Sequence, residues 1–379
     1  MIINLISHFE TLPDPRIDRT KKYPLIEIIF LMISGAISGC EGWKQIKDFG
    51  EIKLPWLRRF LPYEAGIPVD DTIARIMRKL DTKAFQERFI SWMQSVSETT
   101  SGDVVAIDGK TLRQSYDTQS GKSAIHMVSA WSSKNGVVLG QEKTAEKSNE
   151  ITAIPELLEV LELKGCIVTI DAMGCQTEIA KKIISKKADY VLALKGNQGK
   201  LHEEAKDYLE TGFLNDFKNT EVDYYEEYDA GHGRIEHRQC WAITPSAFNI
   251  PSIKKWPGLS SIVMIKSKRE MKERVTQDTR FYITSFDRNA KKTLEAARQH
   301  WAIENSLHWT LDVTFREDES RIRKEASPEN FAIIRHIALN LIKSDTSVKA
   351  SVKRKKMLAA LDDNLRECIM RQVLKPSSE

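Results

Sequence analysis

The stretch "VVAIDGKTLRQ", Val104 to Gln114, starts as the apolar run of a buried strand and then puts Asp108 where the strand should be finishing. A second run, "CIVTIDAMGCQ" from Cys166 to Gln176, repeats the arrangement with Asp171 followed by a small residue. Taken singly, the Asp-Gly at 108 also reads as a hairpin turn, and Asp171 as the cap of a following helix. Two such aspartates 63 residues apart suggest a shared task. If their strands are neighbours the carboxylates face one another, and paired like charges cost stability unless a cation neutralises them. A hard divalent ion such as Mg²⁺, held by oxygen ligands, is the economical partner.

Working outward, "VVAIDGKTL", "IHMVSAWSS" and "GVVLGQEKT" read as three short strands, the last two joined at "SKNG". A helix over "EITAIPELLEVLELKG", the strand "CIVTIDAM", a helix over "TEIAKKIISKK" and the strand "DYVLALKGN" form a βαβ alternation. After "HEEAKDYLETGFL" the pieces "RQCWAIT", "SIVMIKSKRE" and "TRFYITSF" are strand-like, so a β-rich insertion at about 215–288 interrupts an α/β core before helix resumes near Lys291. Upstream, Pro24 to about Glu98 is helical throughout. The expected division is a helical N-terminal domain over 1–98, an α/β domain over 99–345 and a basic helical tail over 346–379.

The 379 residues exceed what one hydrophobic core usually organises. With 57 Lys+Arg against 53 Asp+Glu, the net charge of +4 does not by itself identify a nucleic-acid binder, so the distribution of charge has to decide. Five cysteines, an odd number without C-x-x-C spacing, argue against a disulfide framework or zinc knuckle and point to a reduced, cytoplasmic chain. The N-terminus lacks the basic and apolar regions of a signal peptide. The most apolar window, "PLIEIIFLMISGAISG", contains Glu27 and falls short of the ~20 residues a membrane span needs, so it reads as a buried helix and no membrane partner is expected.

Several other polar features have both a functional and a plain reading. In "AARQHWAIENSLHWTLDV", His300, Glu304, His308 and Asp312 recur at i+4 as a polar stripe between Trp301 and Trp309, with Ile303 and Leu307 facing the other way. Glu304 is a candidate third ligand, or a solvated helical glutamate. In "GIPVDDTIARIMRKLD", Asp70 or Asp71 is a plausible N-cap, Ile73, Ile76 and Leu80 an apolar face, and Arg75, Arg78 and Lys79 a basic face able to read DNA or simply to meet water. Lys353, Arg354, Lys355 and Lys356 crowd together in a C-terminal helix, as a phosphate-facing patch or a solvated one. "KGNQG", with Lys195 and Asn197, is a rim loop or a turn. "GHGRIEHR" presents Arg234 and Arg238 to phosphates or marks a charged edge strand.

The set "AIDGKTLR", "TIDAMGCQ", "LALKGNQ", "GHGRIEHR" and "HWAIENSLHWTLDVTFREDESRIR" resembles, in order, the motifs of the DDE transposases with an RNase H-like core, within the H-repeat-associated insertion-sequence branch. The resemblance runs from about Asp14 to Leu361. It implies a mixed five-stranded sheet with flanking helices, a triad on Asp108, Asp171 and Glu304, and two Mg²⁺ ions, with Mn²⁺ as substitute. It further implies binding of double-stranded DNA, both inverted-repeat ends and target, by a protein that acts as a homodimer on those ends in the nucleoid. Related transposases carry Tyr, Arg and Lys around the glutamate where this chain has Ala297, His300 and Leu311, so His300, Arg298 or Lys110 is left to replace those phosphate contacts. Two ions about 4 Å apart suit in-line displacement at phosphorus without a protein nucleophile. The alternatives are a metal-dependent nuclease that no longer transposes, a DNA-binding regulator with an inert core and, more remotely, a glycoside hydrolase with paired carboxylates.

Overall fold

The computed structural model describes residues 2–97, 101–117, 121–144, 150–218, 220–231, 233–245, 251–272 and 274–371. Five helices come first: α1 (Ile2–Glu10), α2 (Leu25–Ile37), α3 (Trp43–Leu57), α4 (Asp70–Lys79) and α5 (Thr82–Val96). Strands β1 (Val104–Leu112), β2 (Ile125–Ser132) and β3 (Val137–Lys143) follow, then α6 (Glu150–Val160), β4 (Ile167–Ile170), α7 (Thr177–Ser185), β5 (Asp189–Leu194) and α8 (Gly199–Leu214). Four long strands, β6 (Val222–Gly231), β7 (Arg234–Ile243), β8 (Ser261–Met271) and β9 (Arg274–Thr284), precede α9 (Ala290–Ala302). A π-helical turn, Ile303–His308, leads to α10 (Trp309–Thr314), α11 (Ser327–Ser344), α12 (Val352–Leu361) and α13 (Asp363–Met370). This is the expected mixed α/β class, with a helical N-terminal region and a β-rich stretch between α8 and α9.

The chain forms two compact units, each built from separate stretches: the first is Met1–Glu98, Gly109–Lys147 and Glu304–Glu379, the second Thr99–Asp108 and Ser148–Ile303. The N-terminal helices thus share a unit with β2, β3 and the last four helices.

In the first unit, α2 is buried along nearly its whole length, as is α11, which packs on α2, α4, α5 and β3. A helix apolar on all sides belongs in a core, and among the described residues no helix is long and apolar enough to cross a membrane. The polar groups these helices bury are satisfied by distant backbone. Glu27 accepts the Tyr63 amide at 2.7 Å, and Asn340 of α11 bonds both the amide and the carbonyl of Val138 in β3 at 2.9 Å. The β2–β3 hairpin is antiparallel, with a register shift between Ala130 and Trp131. Helix α4 starts one residue earlier than the cap reading assumed. Val69 occupies the N-cap, and Asp70 and Asp71 lie in the first turn, where they complement the helix dipole.

In the second unit the strand order is β1-β4-β5-β9-β8-β7-β6. Strands β1, β4 and β5 are parallel, as a β4–α7–β5 crossover requires, and β9 joins β5 antiparallel. One face of these strands presents Val104, Ile167, Val191 and Tyr282 to Ala290, Leu294 and Ala297 of α9 in a single apolar cluster. Asn289 caps α9 by accepting the Lys292 amide at 2.8 Å, so the helix starts at a defined point over the sheet.

Candidate active site

The paired rungs of β1 and β4 run from Val104↔Ile167 to Ile107↔Ile170, so Asp108 and Asp171 are each the next residue past the last rung. Side chains alternate across a strand. Since Val104 and Ile167 face α9, Ala106 and Thr169 face it too, and so do Asp108 and Asp171. The alternation is anchored by a contact: the Thr169 hydroxyl lies 3.1 Å from Nδ1 of His300 on α9. Burial pushes the His300 imidazole below its ordinary pKa, while the nearby Asp171 carboxylate pulls the other way. The second unit therefore gathers two half-buried carboxylates just past the last β1–β4 rung, on the face that α9 covers.

Neither plain reading of the aspartates describes what they do. Strand β1 continues through Gly109 and Lys110 to Leu112, so the Asp-Gly pair is not a hairpin turn. Asp171 caps no helix. Its Oδ1 accepts the amides of Met173 and Gly174 at 3.0 and 3.2 Å, which shapes the turn after β4. The "KGNQG" loop fastens that same turn: Asn197 donates to the Ala172 carbonyl at 2.5 Å and Gln198 to the Cys175 carbonyl at 2.8 Å. Asn197 thus grips backbone, and Lys195 beside it is exposed. This clamp, and the Thr169–His300 contact, had no signal in the sequence beyond an Asn-Gln pair after a strand.

The i+4 stripe does not hold through its middle. Ile303–His308 winds as a π-helix, whose i→i+5 spacing breaks the four-residue repeat at Glu304. Ile303 and Leu307 are buried as expected, and Glu304 is exposed. Ile303 is the last residue of the second unit and Glu304 the first of a stretch in the first. Among the described residues no three or more His, Cys, Asp or Glu side chains are grouped to hold a metal ion. The two aspartates fit a hard divalent cation by donor type and shared face.

The first unit contains its own buried ionic cluster. Lys110 Nζ lies 2.5 Å from Asp312 Oδ1, 2.7 Å from Glu317 Oε2 and 3.6 Å from Asp318 Oδ1, and Glu317 also pairs with Arg335 at 3.3 Å. Burial alone would raise the Glu317 pKa, but Lys110 and Arg335 bring it down to about 2. Lys110 stays charged for the converse reason: its burial is outweighed by Glu317 and Asp312. Beside them His308 and His336 are each lowered to about 4, chiefly by burial, and are neutral at pH 7.

The basic candidates divide by surroundings. On α4, Ile73, Ala74, Ile76 and Met77 are buried, Arg75 and Lys79 are exposed and Arg78 is half-buried. On α12, Lys353 and Arg354 are exposed, whereas Lys355 and Lys356 point inward. Lys355 pairs with Asp345 at 3.0 Å, and Lys356 donates to the Thr314 carbonyl at 2.8 Å. Strand β7 lies between β6 and β8, so the charged edge expected there belongs to β6. Arg234 pairs with Glu236 at 2.9 Å and Arg238 with Glu227 at 3.0 Å.

Comparison with known proteins adds independent findings. A family model described as "Transposase DDE domain" matches residues 99–341, and one described as "DDE_Tnp_1-associated" matches residues 6–93. The chain is 45% identical over 383 residues to a protein named "Putative transposase YncI" from Escherichia coli O157:H7, covering 100% of this chain and 96% of that one. It is 43% identical over 364 residues to "H repeat-associated putative transposase YhhI" of Escherichia coli K12, covering 95% and 96%. A solved structure of a piggyBac transposase synaptic complex with hairpin DNA aligns with a TM-score of 0.45 at 11% identity, over 98% of this chain and 81% of that one.

Proposed function

The chain belongs to the transposase DDE domain family, in the H-repeat-associated branch, and we propose that it binds the ends of an insertion sequence and catalyses metal-dependent cleavage and joining of DNA. The observation that carries this reading is the placement of Asp108 and Asp171 one residue past the same β1–β4 rung, on the face that His300 touches. In this reading both aspartates hold divalent metal, Mg²⁺ or Mn²⁺, and Glu304, four residues past His300 in the chain, supplies the third carboxylate.

When bound, the metal supplies the positive charge that favours deprotonation of the attacking water or DNA 3′-hydroxyl and offsets charge on the leaving oxygen. The chain's own contribution is positional. Asp171 is held by the Met173 and Gly174 amides, its turn is clamped by Asn197 and Gln198, and α9 is fixed to β4 through His300. Asp312 is a poorer third ligand than Glu304, since Lys110 already neutralises it. The exposed bases Arg75, Lys79, Lys195, Lys353 and Arg354, with half-buried Arg78, are the side chains this reading assigns to DNA. A homodimer would bring two ends together.

The test uses purified Asp108→Asn, Asp171→Asn and Glu304→Gln proteins, a duplex carrying the element's end, electrophoretic shifts without metal, and nicking with Mg²⁺. Each variant should bind the end like the wild type and fail to nick it. Wild-type nicking by either aspartate variant would overturn the assignment.

A further inference from the structure

Lys110 sits two residues past Asp108 in β1, yet its side chain is only 11% exposed and its ammonium faces Asp312, Glu317 and Asp318. Those three carboxylates all lie shortly after Glu304: Asp312 on α10, the others in the short 3₁₀ turn Glu317–Glu319. Arg335 on α11 holds Glu317 from the far side, and Arg113 holds Asp318 at 3.2 Å. A phosphate approaching Lys110 would have to displace acceptors already in hydrogen-bond contact, in a place nearly closed to water. The geometry therefore speaks against a DNA contact and for a mechanical role.

We propose that Lys110 is a positioning residue: it ties the last part of β1 to the chain just past Glu304, and so holds the turn that carries the third carboxylate. This rests on the metal site proposed above. The π-helical turn gives the tie a purpose. A π turn is rare and occurs mostly as a single-turn bulge inside an α-helix, frequently at a functional site, and Glu304 lies within it. Holding α10 at Asp312 fixes the downstream end of that turn. Lys356 reinforces the same end, donating to the Thr314 carbonyl with its ammonium 3.9 Å from the Phe315 ring centroid. Two buried lysines thus grip the eleven-residue path Trp309–Glu319, one by carboxylates and one by backbone.

Asp312→Asn is the variant of choice, because its side chain is 30% exposed and its loss leaves Lys110 with Glu317 and Asp318. Two readouts are followed against Mg²⁺ concentration: the rise in melting temperature without DNA, and nicking of an end duplex. Direct outer-sphere partners of metal ligands are commonly worth about 10-fold or more in metal affinity; Asp312 acts one step further out, so the half-saturating Mg²⁺ concentration should rise in both readouts, by up to about 10-fold. End binding without metal should keep its salt slope. Asp312→Glu, which can still reach Lys110, should recover most of the loss, and Lys110→Met should repeat the nicking shift of Asp312→Asn. The proposal is overturned if folded Asp312→Asn responds to Mg²⁺ like the wild type. It is equally overturned if Lys110→Met leaves the Mg²⁺ requirement alone and lowers the salt slope of DNA binding by about 1, the mark of a lost phosphate contact. Asp108→Asn serves as the control: if it retains a normal Mg²⁺ response, the metal site itself is wrong, and the role of Lys110 falls with it.

Discussion

Removing one charge from the aspartate pair should make the metal-free protein more stable. Asp108 and Asp171 project from neighbouring strands, which lie about 4.8 Å apart. Two unit charges at that distance repel by about 1 kcal/mol in water and by about 3 kcal/mol at an effective dielectric of 20. Both side chains are half-buried, so the repulsion lies between these figures and the lower is its floor. Asp108→Asn should then gain at least about 1 kcal/mol without metal, a rise of about 2–4 °C or more in melting temperature for a unit of 150–250 residues. Bound metal reverses the order. A ligand present at 100 times its Kd stabilises the native state by about 2.7 kcal/mol, which the wild type gains and Asp108→Asn largely forgoes. Thermal melts of both proteins in EDTA and in a Mg²⁺ series should therefore cross, the variant higher in EDTA and lower in saturating Mg²⁺. A purely structural aspartate would give parallel curves. If the variant melts below the wild type in EDTA and gains as much from Mg²⁺, the repulsion argument is refuted.

Acid should weaken the first unit before the carboxylates protonate. Folded His336 has its pKa at about 4, against an ordinary 6.5, so on acidification the unfolded chain takes up the proton first, and stability that is full above pH 6.5 is lost as the pH falls toward 4. That gap corresponds to about 3 kcal/mol. Glu317, lowered to about 2, loses its contribution only between pH 4.5 and 2. Melting temperatures should thus fall from pH 6.5 to 4, and His336→Gln should lessen the fall, with His308 accounting for part of the remainder; an unchanged slope contradicts the assignment. Arg75→Ala with Arg78→Ala should reduce preference for the element's end over random duplex, whereas Lys353→Ala with Arg354→Ala should weaken all duplexes alike and flatten the salt slope. Uniform losses from both sets would remove α4 as the reader.

What was legible in the sequence was what local pattern determines. Val104–Leu112 opens as a continuous apolar run and turns polar at Asp108, and the strand has those bounds. The apolar window after Pro24 became the buried α2. Strand β6 escaped notice because its "VDYYEEYDAG" is acidic, as suits the edge of a sheet, where one side pairs and the outer residues meet water. The regular stripe through Glu304 misled because the register shift of a π turn leaves no mark on residue type. Lys110, Lys355 and Lys356 read as surface charge because lysine normally is; their burial depends on Asp312, Asp345 and the Thr314 carbonyl. For Lys110 that partner lies some two hundred residues away, and no local pattern announces it. The same holds for the two units, whose boundaries at Asp108 and Ile303 fall inside continuous secondary structure.

The most direct test of the account is to locate the metal itself. Fe²⁺ substituted for Mg²⁺, in the presence of ascorbate and peroxide, generates radicals that cut the polypeptide beside the bound ion, and mass spectrometry then reads the cut positions. Cuts should cluster just past the last β1–β4 rung, beside Asp108 and Asp171, with a third set near Glu304. Excess Mg²⁺ should suppress all of them, and Asp108→Asn should abolish them. Cleavage confined to the Asp312, Glu317 and Asp318 region, or unaffected by Asp108→Asn, would contradict the claim that Asp108 and Asp171 hold the catalytic metal.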